Sequence, residues 1–372
     1  MGLYSSRMAK PTPLIDRHRA NGAEMTEENG WILPSRFGAP LDEYRAVRSG
    51  VGILDLCDTA VLHLTGPDRV SFLQGMVTND VKKLAPGTGM SAAILDVSGK
   101  ILADLRVLCA EESFILLLWQ PLNEKIVSHL NRYLVADDVE IAAPAAGCGM
   151  ISLQGPKSRS LLSALVAVEQ IPSAMHDHRA LSVAGRKIRV TRSTHTGEEG
   201  FDLLIGLPDL ECVVEEIERA SGNFSLRWIG LQARELLRLE AAIPRYGVDM
   251  DENTLFLEIG LDDSVSFHKG CYLGQEVVER VRSRGHVNRK LAGIVLEGSN
   301  ETAHGATIRS DGREIGRITS CVVSPSLRQS VALGYVHRDF LTPGTAIVVD
   351  NAGREIAGRI AQLPFASSLL RT

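Results

Sequence analysis

The chain of 372 residues has no apolar run near the roughly 18 residues that span a bilayer, no Cys-x-x-Cys pair and no low-complexity tract. The first absence excludes a membrane-spanning helix, so no membrane partner is expected. The six cysteines, Cys57, Cys109, Cys148, Cys212, Cys271 and Cys321, lie far apart and suggest neither a disulfide scaffold nor a four-thiolate metal site, so no metal is expected. A large excess of charge is also missing. Acidic residues number 45 and basic residues 40, a formal net charge of −5, which argues against a surface that coats nucleic acid. The N-terminal stretch MGLYSSRMAKPTPLIDRHRA lacks the apolar core of a secretory signal and has too few basic residues for a transit peptide, so a cytoplasmic protein is expected.

What is present suits two or three compact domains: 44% of residues are hydrophobic and 23% charged. The runs AVLHLTG (60–66), SAAILDV (91–97), ESFILLLW (112–119) and GMISLQG (149–155) read as strands, separated by amphipathic stretches of helical length. Leu64-Thr65-Gly66-Pro67 and the polar-apolar run after it have a counterpart in Leu153-Gln154-Gly155-Pro156, 89 residues later. Each predicts a strand, a Gly-Pro turn and a helix whose first turn tolerates proline, and the pair reads as two copies of one unit. Between 226 and 246 the spacing of Ile229, Ala233, Leu236, Leu237 and Ala241 predicts one helix with an apolar stripe. From about residue 285 the texture changes to short β segments broken by Gly, Pro and Asn. The boundaries expected are 1–284 and 285–372, and the class is α+β followed by a β-barrel or jelly-roll module.

Five segments could carry chemistry. Asp104 falls in the strand that follows the Ser98-Gly99 turn, where a carboxylate faces either solvent or a cavity. Thr194-His195-Thr196-Gly197-Glu198-Glu199 places carboxylates at a glycine turn, where a glutamate can hold a ring amide or a guanidine-like edge; His195 reads as a loop residue rather than a base. Arg234 and Arg238 project from one side of a helix, as a salt bridge or as a clamp for a carboxylate ligand. His268-Lys269-Gly270-Cys271-Tyr272-Leu273-Gly274-Gln275-Glu276 sets a cysteine beside cationic groups that favour thiolate. Arg280, Arg282, Arg284, Arg289 and Lys290 form a local basic patch without the aromatics that stack on bases.

The strings PLIDRHRANGAEM, EYRAVRSGVGILDL, THTGEEGFD, ARELLRLEAAIPRYGVDMDENTLFLEIGL and EIGRITSCVVSPSLRQSVALGYV follow one another in the order found in a known superfamily. The chain resembles, along nearly its full length, the folate-binding proteins that include the glycine-cleavage T-protein (aminomethyltransferase, GcvT) and the YgfZ iron–sulfur maintenance proteins. That resemblance implies a three-domain GcvT/YgfZ-like α+β fold, with two interlocked domains around a central channel for tetrahydrofolate and a C-terminal β-barrel. It implies a folate contact for Glu198, with His195 standing where tyrosine is usual, and folate-site places for Arg234, Tyr246 and Asp104. T-proteins carry an Asp-Asp pair where this chain has Ala103-Asp104, and the string Lys269 to Glu276 is similar to the YgfZ signature. The reading those departures favour is a YgfZ-type tetrahydrofolate-binding protein that supports iron–sulfur cluster assembly or repair and the tRNA modification that depends on it. Cys271 is then the reactive thiol and Lys269 its electrostatic partner. Reduced folate and iron–sulfur proteins or their assembly factors are the expected partners, with no nucleic acid. Two alternatives stand beside it: an aminomethyl or methyl transferase of the T-protein type, and a scaffold whose segment 280–290 binds RNA or a polyanion.

Overall fold

A computed structural model describes residues 9–299 and 302–365, so the first eight residues of the stretch read for a targeting signal lie outside the described residues. The chain divides into two compact units. One comprises the residues up to Leu73 with Val81–Ser91 and Leu105–Arg234; the other comprises Gln74–Asp80, Ala92–Asp104 and the chain from Glu235 onward.

The expected duplication is visible in the order of elements. The first copy runs strand Thr59–Thr65, helix Arg69–Met76, strands Gly89–Leu95, Ile101–Cys109 and Phe114–Trp119, helix Asn123–Tyr133 and strand Glu140–Ala142. The second runs strand Cys148–Gln154, helix Ser158–Ser163, strands His178–Val183, Arg186–Arg192 and Gly200–Gly206, helix Leu207–Ala220 and strand Leu226–Ile229. In both sheets the second, third, fourth and first strands of the copy lie side by side in that order. The fifth strand of the first copy follows directly, whereas Val51–Asp55 is inserted before the fifth strand of the second. In each copy the Gly-Pro turn leaves its strand through a left-handed glycine, Gly66 at φ +101 and Gly155 at φ +131.

The core of the first unit follows from side-chain periodicity. Phe201, Leu203 and Ile205 alternate along one strand, and Leu210, Val213, Val214 and Ile217 recur at helical spacing on the helix after it; all are buried in one cluster. One expectation is corrected here. Leu226–Ile229 is a strand paired parallel to Val51–Asp55, and the helix spans only Leu231–Glu240. Four apolar or long residues after a turn fit either structure, and the unpaired edge of Val51–Asp55 decides for strand.

In the second unit a closed six-stranded barrel takes the order Arg289–Leu296, Gln329–His337, Arg313–Ser324, Thr307–Ser310, Ala346–Asn351, Arg354–Ala361. Closure removes exposed strand edges, and register shifts at Ile308/Arg309 and Ile318/Ser320 bend the strands around the interior. Ile294, Ile308, Ile318, Val336, Val349 and Ile360 fill it. Among the described residues no helix is long and apolar enough to cross a membrane.

Candidate functional site

The loop between the strands Arg186–Arg192 and Gly200–Gly206 belongs to the first unit and is shaped by its own polar residues. The Thr194 hydroxyl accepts from Gly197 N at 2.9 Å, Gly197 turns at φ +80, and buried Gln154 receives His195 N at 3.0 Å and the Thr196 hydroxyl at 3.1 Å. Glu198, half-buried on this loop, accepts from Arg48 Nη1 at 2.7 Å, and Arg48 also donates to the Thr196 carbonyl at 3.3 Å. The carboxylate is thus held in place by a guanidinium from the helix Pro40–Ser49. Arg48 was not singled out by sequence reasoning, although it closes the string EYRAVR.

His195 is the second residue whose place the sequence left unread. Its Nε2 lies 3.0 and 3.1 Å from the two carboxylate oxygens of Asp202, which is 1% exposed. Arg106 donates to the same carboxylate and, at 2.7 Å, to the Ser193 hydroxyl. Although burial pushes the Asp202 carboxyl up, the His195 and Arg106 charges outweigh it and hold it well below the usual carboxylate range. The alternation that sets Asp202 between core residues Phe201 and Leu203 was the available signal: a charge in an otherwise apolar strand needs partners.

Arg234, half-buried in the helix Leu231–Glu240, faces a carboxylate environment in the same unit. Asp58 is raised by burial, pulled back by Arg234, and raised further by Asp55 and Glu28. Arg238, one turn on, is a structural residue of the second unit: its guanidinium binds Glu235, Asp249, the Ile243 carbonyl and the Ser320 hydroxyl.

The second unit holds the remaining candidates. The hairpin turn is fixed by Asp96, whose carboxylate accepts from Ser98 N and Lys100 N, both at 2.9 Å. Beyond it Ala103 is fully buried and Asp104 half-buried, on opposite faces of one strand. The strand is anchored by Ile101 N to the Thr254 carbonyl at 3.0 Å, and Tyr246, itself buried, donates its hydroxyl to the Ile101 carbonyl at 3.4 Å. Tyr246 therefore supports the hairpin that carries Asp104.

The string from Lys269 to Glu276 has a different role from the one expected. The Lys269 ammonium is buried and donates to the carbonyls of Gln74, Val77 and Asn79 at 2.6, 2.6 and 2.9 Å. It caps the end of the helix Arg69–Met76, where carbonyls lack partners and the helix dipole favours a cation. As a correction, Lys269 is tied to backbone carbonyls and is not set up as an electrostatic partner for a thiolate. Gly274, at φ +83, opens the helix Gln275–Arg284, and a Cβ there would stand 2.5 Å from the Asp96 carbonyl oxygen. The glycine thus permits close packing of the helix against the hairpin turn. Cys271 itself is exposed. An alkylating reagent should modify it ahead of buried Cys57, and Cys271→Ser should leave the melting temperature within about 1 °C of wild type, since surface substitutions usually stay within about 0.5 kcal/mol; peptide mapping and calorimetry check both.

The basic patch is largely neutralised within the second unit. Arg280 pairs with Glu276, Arg282 with Glu279 at 3.4 Å while lying over the Phe267 ring, and Arg289 with Glu258 at 3.1 Å over Tyr335. These contacts describe a solvated face on which three of the arginines pair internally.

Comparison with known proteins gives a consistent result. The family profile described as the GCVT N-terminal domain matches residues 14–269, and that of the glycine cleavage T-protein C-terminal barrel domain matches 289–366. An aminomethyltransferase of Halothermothrix orenii is 31% identical, with 96% of this chain and 99% of that protein covered. One from Rubrobacter xylanophilus is 33% identical, covering 95% and 93%. The crystal structure of glycine cleavage system aminomethyltransferase T from Bartonella henselae superposes with a TM-score of 0.88 at 25% identity, over 96% of this chain and 98% of that one. These findings overturn the iron–sulfur reading drawn from the string 269–276: the full-length relatives carry the name aminomethyltransferase, and the string's lysine and glycine have packing roles.

Proposed function

We propose, for a chain that belongs to the glycine cleavage T-protein family, a tetrahydrofolate-dependent transferase that passes an aminomethyl-derived one-carbon unit to reduced folate. The observation that carries this reading is similarity to aminomethyltransferases from end to end at about 30% identity, barrel included. Tetrahydrofolate is the family's co-substrate, and its amine nitrogens supply the acceptor for the one-carbon unit.

The first unit has side chains suited to it. Glu198 is a half-buried carboxylate pre-oriented by Arg48, able to accept hydrogen bonds from an amino-pyrimidine edge, and Arg234 is a half-buried guanidinium able to meet a carboxylate or a ring carbonyl. Pre-orientation matters because a contact made without reordering side chains loses less of its energy to entropy. In the second unit, Asp104 is the half-buried carboxylate of the hairpin strand, whereas fully buried Ala103 offers a methyl group where the Asp-Asp pair of T-proteins has a carboxylate. Asp104 is assigned the electrostatic role toward the one-carbon group.

Removing the Glu198 carboxylate should weaken reduced-folate binding roughly ten- to hundredfold, the equivalent of about 1.5 to 3 kcal/mol for a charge-assisted hydrogen-bond pair. Titration calorimetry of Glu198→Ala and Arg234→Ala measures it, and unchanged affinity in both variants removes those residues from the site. Asp104→Asn should lower kcat while leaving folate affinity within a few-fold. The activity itself is tested by ammonia release from an aminomethylated carrier with and without tetrahydrofolate. Folate-dependent release is the expected result; binding of folate without any release defeats the transferase reading.

A further inference from the structure

The loop that carries Glu198 also carries an imidazole fixed from behind. Both Asp202 oxygens face His195 Nε2, at 3.0 and 3.1 Å, so the ring N–H at that position is committed to the carboxylate. The carboxylate is in turn held by Arg106, and the backbone of His195 by Gln154. A buried acid, a cation behind it and a pinned main chain leave the ring little freedom to turn. The other nitrogen, Nδ1, has no hydrogen bond and is not among the buried unsatisfied atoms, so it is the face the ring presents outward. Three residues further along the same loop is Glu198, fixed by Arg48. A carboxylate-oriented imidazole with one lone pair at liberty, beside a pre-oriented carboxylate, is an arrangement for exchanging a proton with a bound molecule.

We propose that His195 Nδ1 contacts the bound reduced folate and exchanges a proton with its surroundings when the ligand arrives. This rests on the folate reading and adds to it a residue and an ionic consequence. With Nε2–H given to Asp202, a neutral ring accepts a ligand N–H at Nδ1. The protonated ring carries an N–H there and opposes the same contact. Ligand binding therefore breaks the Nδ1–H bond, its electron pair stays on Nδ1 as the acceptor, and the proton passes to water or buffer; no other bond changes. The groups around the ring leave the event to His195: Asp202 is held well below the usual carboxylate range and stays ionised beside Arg106, and His176, which interacts with both, is pushed down to about 4 by burial, helped by Arg106, and stays neutral near pH 6. Glu198 and Arg48 are paired with each other on the ligand side.

The experiment is titration calorimetry of the full chain with tetrahydrofolate under anaerobic conditions at pH 6.0, in buffers of different ionisation enthalpy. The slope of the observed enthalpy against buffer enthalpy counts protons released. The wild-type chain is expected to release a measurable fraction of a proton, and His195→Gln none, with affinity lower by up to tenfold. Gln keeps an N–H for Asp202 but does not titrate. His195→Tyr, which restores an aromatic ring with a hydroxyl, is expected to recover affinity without recovering proton release. Equal proton release in wild type and His195→Gln overturns this proposal while leaving folate binding in place. No binding to the wild-type chain overturns the folate reading, and this proposal with it.

Discussion

Arg238→Ala is expected to destabilise the second unit by about 3 to 5 kcal/mol, the range for breaking a buried ion pair by removing one member. Arg238 is 4% exposed, and its guanidinium reaches Asp249 at 2.5 Å, Glu235, the Ile243 carbonyl at 3.0 Å and the Ser320 hydroxyl at 2.7 Å. Asp249 is fully engaged as well: it accepts from Arg245 N at 2.9 Å and from the hydroxyls of Thr319 and Ser320, both at 2.6 Å. The loss of Arg238 leaves that carboxylate buried without its cation, so the cost exceeds that of the hydrogen bonds alone. The network ties the helix Leu231–Glu240 to the strand Arg313–Ser324 of the barrel, so the variant should also loosen the barrel where Ser320 sits beside a register shift. Arg238→Lys should recover less than half of the loss, because an ammonium cannot reproduce the planar fork that serves Glu235 and Asp249 together. Denaturant unfolding measures both; a loss below about 1 kcal/mol for the alanine variant would mean that the network contributes little.

How much of this was readable beforehand depends on the range of the interactions. The paired strand–glycine–proline–helix units were legible because the signal is local and occurs twice, and the barrel strands because alternating apolar residues between turns need no knowledge of their neighbours. Two barrel strands carry a weaker local signal. Thr307–Ser310 has one buried isoleucine and Arg354–Ala361 alternates with charged residues, so only pairing within the closed barrel makes them strands. Glu198 stood out at its glycine turn, but its holder Arg48 lies 150 residues away in the chain. A separation of 96 residues likewise hid the Arg106–Asp202 contact, and with it the orientation of His195.

The string around Cys271 failed for another reason. Its residue types are those of a reactive thiol site, and composition alone does not say where an ammonium points. The Lys269 ammonium finds three carbonyls, and Gly274 makes room for the Asp96 carbonyl. Unusual residues at close spacing were therefore needed for packing the helix Gln275–Arg284 against a turn, a demand that leaves the same mark on a sequence as chemistry does.

The first unit should lose stability between pH 6.5 and pH 4, and His178 should account for a large share of the loss. His178 is 1% exposed; its Nε2 meets the Cys109 carbonyl at 3.0 Å and its Nδ1 meets Arg189 Nη1 at 2.7 Å. A neutral ring satisfies both contacts, donating to the carbonyl and accepting from the guanidinium. A protonated ring turns an N–H against Arg189. Burial first, and the Arg189 charge second, push His178 down from 6.5 to about 4. The unfolded chain takes up a proton as pH falls through 6.5, while the folded chain does not until about 4. Protons thus favour unfolding across that window, and stability is flat above it. A shift of this size corresponds to about 3 kcal/mol, lost at a limiting slope of about 1.4 kcal/mol per pH unit. His176 is pushed down to about 4 by burial and by Arg106, so it titrates in the same window with the same sign. His63, lowered by burial and by the Arg189 charge, adds to the slope with the same sign, and His178→Gln, which keeps a donor for Cys109 and an acceptor for Arg189, should reduce the slope by about one proton. Asp202 does not interfere, because a carboxylate held below its ordinary 3.8 loses its contribution only at more acidic pH. Unfolding free energies measured at pH 7, 6, 5 and 4 for both proteins decide the matter: parallel curves would show that His178 is protonated as readily in the folded chain as in the unfolded one.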